Sequence, residues 1–361
     1  MEDRRRRLVA FAALGIALGL LVAVQSVYFQ RGFVPGDAFN YLGAGERLNA
    51  GHDLYRLQPG DRIVDAGGEY WHVPFPSPPP IAVLFRPLAA LPNEIGAWIW
   101  YALALTALAL SLVMLARRIP IATAVAMVVL LFPTVYEIGV GNVNSFLLLG
   151  LLLIWRLARA DREGAAGSIA AILTAVKLTP GIMGLWLLVT GRRRGFAWFV
   201  ASGLAVLLVS LLGAGLDRHL QYVRLVVGGE AIGIYPLSVG GWARYLGAPE
   251  AIYERLPMLC SVAGVVLVIA FRDRPAASFR VGVATMILGS PAVNINWFVI
   301  LYALLAPAAW PLGTRTAETE RAELDRVLIP PSSSLKPELP VGHLRPGEGV
   351  SRASDERSVS P

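Results

Sequence analysis

Lys177 stands in an apolar stretch, Ala175-Val176-Lys177-Leu178-Thr179-Pro180, and is one of only two lysines in the 361 residues, the other being Lys336. An ionisable group inside a membrane-depth segment costs roughly 2.5–3.5 kcal/mol on insertion scales, so it needs a partner or a task. Two readings fit: a cation placed to meet a phosphate group, or a lysine that snorkels to the interface. Two further turns carry amides at similar depth. Glu137-Ile138-Gly139-Val140-Gly141-Asn142-Val143-Asn144 offers Asn142 and Asn144, and Ser290-Pro291-Ala292-Val293-Asn294-Ile295-Asn296-Trp297 offers Asn294 and Asn296. Such amides can cap helices or bind sugar hydroxyls. Asp37 follows a Pro35-Gly36 turn signal and precedes a predicted helix ending near Gly51, where its ordinary task is an N-cap. Residue types alone do not decide between cap and catalyst there. His219, Arg224 and Arg244 place cations on another loop, where they suit an anionic ligand or plain solvated charge. The run Trp71-His72-Val73-Pro74-Phe75-Pro76-Ser77-Pro78-Pro79-Pro80 sets aromatic rings and stiff prolines side by side, as an interfacial belt does. No GxSxG elbow, HExxH, phosphate-binding P-loop or GxGxxG is present. Four histidines and one cysteine, Cys260, are too few and too scattered for a protein-built metal site or a disulfide framework.

The elements that position these residues follow from composition. The chain is 55% hydrophobic and 16% charged, with a mean hydropathy of +0.58. A soluble domain of this length carries far more charge. Apolar stretches able to cross a bilayer recur from Leu8 to Leu312. The net charge of +7 does not read as nucleic-acid binding, because the arginines fall in short clusters between apolar runs. That is the pattern of topology signals.

Arg4–Arg7, Arg117-Arg118, Arg156 to Arg162, Arg192–Arg194 and Arg272 to Arg280 are all expected on the cytoplasmic side. The run from Leu8 to about Phe29 then reads as an uncleaved first helix. Residues 120–158 must cross outward and return. So must 166–190, which is barely long enough, with Lys177-Leu178-Thr179-Pro180 near its middle. Proline there removes a backbone donor and disfavours helix before it, so two half-helices meeting at an outward turn are predicted. Residues 278–312 repeat the form around Ser290-Pro291. Irregular backbone at that depth persists only where it is buried in protein or lines a cavity. The prediction is an all-α polytopic membrane protein of about ten membrane segments. It has short broken helices and large external loops at about 30–94 and 214–256. The membrane domain covers about residues 1–313, and a Pro-, Ser-, Glu- and Arg-rich cytoplasmic tail, residues 314–361, is expected to be disordered.

One family orders its motifs in the same way. Gly36-Asp37-Ala38-Phe39-Asn40-Tyr41 followed by Ala44, Leu48, Gly51 and Leu54-Tyr55 resembles the opening of glycosyltransferase family 87. Phe75 to Pro80 with Arg86-Pro87-Leu88, Gly141-Asn142-Val143-Asn144, Ala175 to Pro180, Leu237-Ser238-Val239-Gly240 through Arg244, and Ser290-Pro291 are similar to its later motifs, in order. The resemblance implies a GT-C-like membrane glycosyltransferase with no cofactor and no required metal. It implies a polyprenyl-phosphate sugar donor, typically mannose, and transfer to a glycolipid or glycan acceptor on the outer face of the cell membrane, with inversion. The family's acidic base maps onto Asp37. Lys177 and Arg244 are then candidates for the donor phosphate, and Tyr41, Asn142, Asn144, Asn294 and Asn296 for sugar and donor. Trp71, Phe75 and Pro79 are candidates for a lipid groove. The chain departs from the family's pattern at three places. Asn294-Ile295-Asn296-Trp297 stands where histidines are frequent, Leu237-Ser238 where Gln-Ser is, and Gly141-Asn142 where Gly-Gln is. A lipid-linked sugar transporter and a non-catalytic member of the family are the alternatives; broken helices at membrane depth suit transporters too.

Overall fold

The computed structural model describes residues 36–56, 75–227 and 233–312, together with Gly15 and Gly19. The expected first helix, Trp71 and the tail lie outside these residues. Among the described residues every regular element is helical. In chain order they are α1 (Gly36–Asn49), α2 (Pro79–Ala89), α3 (Asn93–Ala116), α4 (Pro120–Val129), α5 (Leu131–Val140), α6 (Asn144–Arg159) and α7 (Glu163–Val176). A 3-10 turn, Thr179–Gly181, leads to α8 (Ile182–Val189), α9 (Arg193–Ala214), α10 (Leu216–Val227), α11 (Val239–Tyr245), α12 (Glu250–Tyr253), α13 (Leu256–Ala270) and α14 (Pro275–Leu288). A 3-10 helix, Ile295–Leu305, and α15 (Ala306–Ala309) complete the set.

Local sequence explains the boundaries. Proline opens α2, α4 and α14, where its fixed φ suits the first turn and its missing N–H is no loss. Gly141, at φ 66°, closes α5 in the left-handed conformation that glycine adopts without penalty. Arg156 and Arg159 occupy the last turn of α6, where they oppose its dipole.

Three helices are long and apolar enough to cross a membrane, Ile95–Ala116, Arg193–Ala214 and Glu250–Ala270, and α4 with α5 makes a fourth if that pair, bent by 71°, counts as one span. The remaining apolar helices run to 10–17 residues. They are too short to cross singly. Fewer full-length spans are thus present among the described residues than the ten segments expected, because proline and glycine divide the apolar runs. Two predicted breaks are present: α7 ends at Val176 and α8 begins at Ile182, and α14 ends at Leu288 before the helix from Ile295.

Two cores hold the helices together. In one, the rings of Trp155, Trp186 and Phe279 pack within 5.1–5.8 Å of one another. Both indoles are satisfied, Trp155 donating to Trp310 O and Trp186 to Pro275 O, each at 3.0 Å. The second core gathers Tyr41, Phe75, Phe85 and Trp100 beneath the first polar loop. Helices α7 and α9 approach so closely that a Cβ on Gly167 would collide with the carbonyl oxygen of Gly195. Outward faces stay apolar: Leu204, Leu208 and Leu212 form an exposed stripe on α9. Such a stripe suits lipid rather than water.

The two polar loops lean on each other. Tyr55 stacks on Tyr222 of α10 at 6.0 Å. Arg218 donates to the carbonyls of Gly51 and His52, and Gln221 donates to Asp53, all at 3.3 Å. Arg86 of α2 donates to Asn49 of α1 and to Gly213 O at the end of α9, both at 2.9 Å.

Candidate active site

Asp37 lies within the first turn of α1, whose start at Gly36 puts it inside the helix instead of before it. Its Oδ2 accepts a 2.7 Å hydrogen bond from Asn142 Nδ2, across 105 residues of sequence. Burial pushes the Asp37 carboxyl above its ordinary range, and the Asn142 bond and the Lys177 charge pull it part of the way back. Tyr41 is one helical turn further along the same face. Its ring packs against Phe85 at 5.1 Å and Trp100 at 6.1 Å. Burial, then the charges of Asp37 and Glu137, hold its phenol protonated far above the usual range. Trp100 also fixes the facing turn, its indole N–H donating to Gly141 O at 2.8 Å.

The α5–α6 turn is built around Glu137, which is 1% exposed. Its Oε1 accepts from the Ser145 backbone N–H at 2.8 Å and faces the Ser145 hydroxyl at 3.3 Å. Its Oε2 accepts from Asn144 Nδ2 at 3.0 Å. The Ser145 N–H at the start of α6 is thus served by Glu137 from the preceding helix, not by the asparagines read as possible caps. Asn144, with no exposed surface, turns its remaining oxygen to Lys177: Nζ donates to Asn144 Oδ1 at 3.0 Å. The same ammonium sits 3.2 Å from the centroid of the Trp297 ring. Cation–π attraction strengthens with desolvation, and Lys177 is half-buried.

Three expected turns therefore meet: Asn142 and Asn144 from one, Lys177 from the second and Trp297 from the third. Asn296 is 2% exposed. Its Oδ1 and the Oδ1 of Asn142 are buried acceptors without a hydrogen-bond partner among the described residues, as is Thr179 Oγ1. Asn294 caps the final 3-10 helix, accepting from Ile295 N at 2.8 Å. Tyr235 ties the second loop to the third turn through a 3.0 Å bond from its N–H to Pro291 O. Burial raises its phenol, and the Asp37 charge adds to the shift.

Other expected residues stand apart from this chain of bonds. Arg244 is exposed and its guanidinium lies 5.8 Å from the Tyr253 ring centroid. His219 is spent locally, between Gly215 O at 2.8 Å and Ser210 Oγ at 2.9 Å. Phe75 has no exposed surface and its ring packs on Tyr55 and Tyr41, while Pro79 is buried at the start of α2. Among the described residues no group of three or more His, Cys, Asp or Glu is gathered that could hold a metal ion. Sequence reasoning passed over Glu137, Tyr235 and Trp297 as site residues. For Glu137 the signal was available: an acid inside an apolar run demands a partner.

The chain is 25% identical over 276 residues to the polyprenol-phosphate-mannose-dependent alpha-(1-2)-phosphatidylinositol pentamannoside mannosyltransferase of Mycolicibacterium smegmatis, covering 72% of this chain and 65% of that protein. It is 26% identical over 226 residues to the protein of the same name from Mycobacterium tuberculosis, covering 60% of this chain and 50% of that one. The chain thus spans between half and two thirds of the length of these relatives. No solved structure matches it. The model of glycosyltransferase family 87 matches residues 75–291, well over half of the sequence, and the chain belongs to that family.

Proposed function

We propose that the chain is a membrane glycosyltransferase that moves a mannosyl unit from a polyprenyl-phosphate donor to a glycolipid hydroxyl on the outer face of the membrane. One observation carries the reading. A single turn is hydrogen-bonded to both an acid and a cation, Asn142 to Asp37 and Asn144 to Lys177. Transfer from a phosphate-linked sugar needs that pairing. Asp37 takes the proton of the acceptor hydroxyl as general base. The freed oxygen attacks the anomeric carbon as the bond from that carbon to the phosphate oxygen breaks, with inversion. Negative charge grows on the departing polyprenyl phosphate, and the preplaced ammonium of Lys177 stabilises it. A carboxyl raised by burial suits the first role, since a base works best with a pKa near the working pH.

The unpaired carbonyl oxygens of Asn142 and Asn296 accept sugar hydroxyls in this reading. Tyr41 and Tyr235 stay protonated and donate. The named activity of the two mycobacterial relatives supports the donor and the glycolipid acceptor. The test is to supply membranes holding the protein with radiolabelled polyprenyl-phosphate mannose and a phosphatidylinositol mannoside, then to follow label and released polyprenyl phosphate together. Equal appearance of both supports transfer. Movement of the donor across the membrane with no release points to a transporter and ends the proposal.

A further inference from the structure

We infer that Glu137 is a positioning residue for the Lys177 ammonium, acting through the Asn144 amide. The inference rests on the transferase reading for its effect on rate, but not for its geometry. The two ends of the Asn144 amide are nearly the same shape, and only a partner decides which end faces Lys177. Glu137 is that partner. Ionised, as the Ser145 N–H and the Lys177 charge favour, its carboxylate can only accept, so it takes the NH2 end of Asn144 at 3.0 Å. The oxygen end then has to face Lys177, which donates to it at 3.0 Å. Glu137 itself cannot swing away, because Ser145 N and Oγ hold its other oxygen. Trp297 closes the opposite side of the ammonium. The order of donors and acceptors from Ser145 to Lys177 thus has one solution, and Glu137 sets it.

Glu137 also caps α6 through Ser145 N, and that duty separates cleanly. In Glu137→Gln the amide oxygen still accepts from Ser145 N, so the cap survives. The new NH2 group, however, faces the NH2 of Asn144. Asn144 must turn over, and it then presents a donor to a donor at Lys177. Adding Asn144→Asp repairs the order. The introduced carboxylate accepts from the introduced amide on one side and from Lys177 on the other. The pair of substitutions also leaves the local charge as it was.

Two measurements test this. In the mannosyl transfer assay Glu137→Gln is expected to lower kcat by about 10- to 100-fold with little change in KM, as loss of an orienting outer partner does. Glu137→Gln/Asn144→Asp is expected to recover to within a few-fold of wild type. A Glu137→Gln protein with wild-type kcat, or a double variant no better than Glu137→Gln, overturns the inference. The second measurement needs no activity. The protein in detergent is treated with an amine-reactive acylating reagent, and peptide mass spectrometry follows Lys177, with Lys336 as internal standard. Lys177 is expected to react slowly in wild type, faster in Glu137→Gln, and slowly again in the double variant. Equal reactivity in all three overturns the inference even if wild type transfers no sugar. Absence of transfer by wild type, with the labelling pattern intact, counts against the transferase reading alone.

Discussion

Asn142 donates to Asp37 across 2.7 Å and so joins the first turn of α1 to the tip of the α5–α6 hairpin, two places separated by 105 residues. The bond makes a long-range contact out of residues that each look like ordinary helix-end chemistry. It also couples the acid to the turn that holds Lys177.

That coupling predicts a pH signature. Asp37 must be ionised to act as base, and burial raises its pKa. Activity is therefore expected to fall with decreasing pH at values above the ordinary carboxylate range. The Asn142 bond lowers that pKa. Asn142→Ala removes it, so the acid limb of kcat/KM is expected to move to higher pH. The profile of the two proteins side by side checks the sign.

Lys177 is expected to matter to the transition state more than to binding. Lys177→Met should lower kcat by about 100-fold or more, comparable with losing one preorganised oxyanion donor. Trp297→Leu removes the cation–π contact, worth about 0.5–2 kcal/mol, together with part of the core packing of this buried ring, so its effect on rate is to be read beside its melting temperature. Steady-state rates of both variants, set against wild type, test the order.

Backbone geometry at the turn gives a stability prediction. Gly141 has φ 66°. A side chain in that conformation costs about 1–2 kcal/mol. Gly141→Ala is thus expected to lower the melting temperature in detergent and to reduce transfer, because Asn142 is the next residue. Gly167→Leu should be more damaging, since the obstacle it meets is the Gly195 carbonyl and not a flexible side chain. Thermal unfolding in one detergent, read for both variants, ranks them.

Topology can be tested without chemistry. The positive-inside bias of the arginine clusters predicts Arg194 on the cytoplasmic side. A reporter fused after Arg194 is expected to report cytoplasm. Periplasmic reporter activity there would overturn the orientation assumed for the site.

The breaks at Lys177-Pro180 and Ser290-Asn296 were legible in the chain, because proline acts on its own neighbours. The turn at Glu137–Asn144, which has no proline, was legible from the arginine clusters on either side of residues 120–158. The meeting of the three turns was not, since Asn142 to Asp37 and Lys177 to Trp297 are contacts between distant segments. Glu137 was passed over because its partners, Ser145 and Asn144, lie beyond a turn whose closure depends on Gly141. The ten expected segments do not appear as ten full spans among the described residues. Hydropathy marks apolar length but not the bend between α4 and α5. Arg244 stood beside Lys177 as the second candidate for the donor phosphate, yet exposure separates them.

The central claim is that Asp37 deprotonates the acceptor. Purified protein in lipid, given polyprenyl-phosphate mannose and a phosphatidylinositol mannoside, should transfer sugar, and Asp37→Asn should lower that rate by about 100-fold or more while eluting and melting like wild type. Asparagine keeps the shape of the carboxylate but cannot take the proton. A folded Asp37→Asn protein that transfers as fast as wild type would contradict the account.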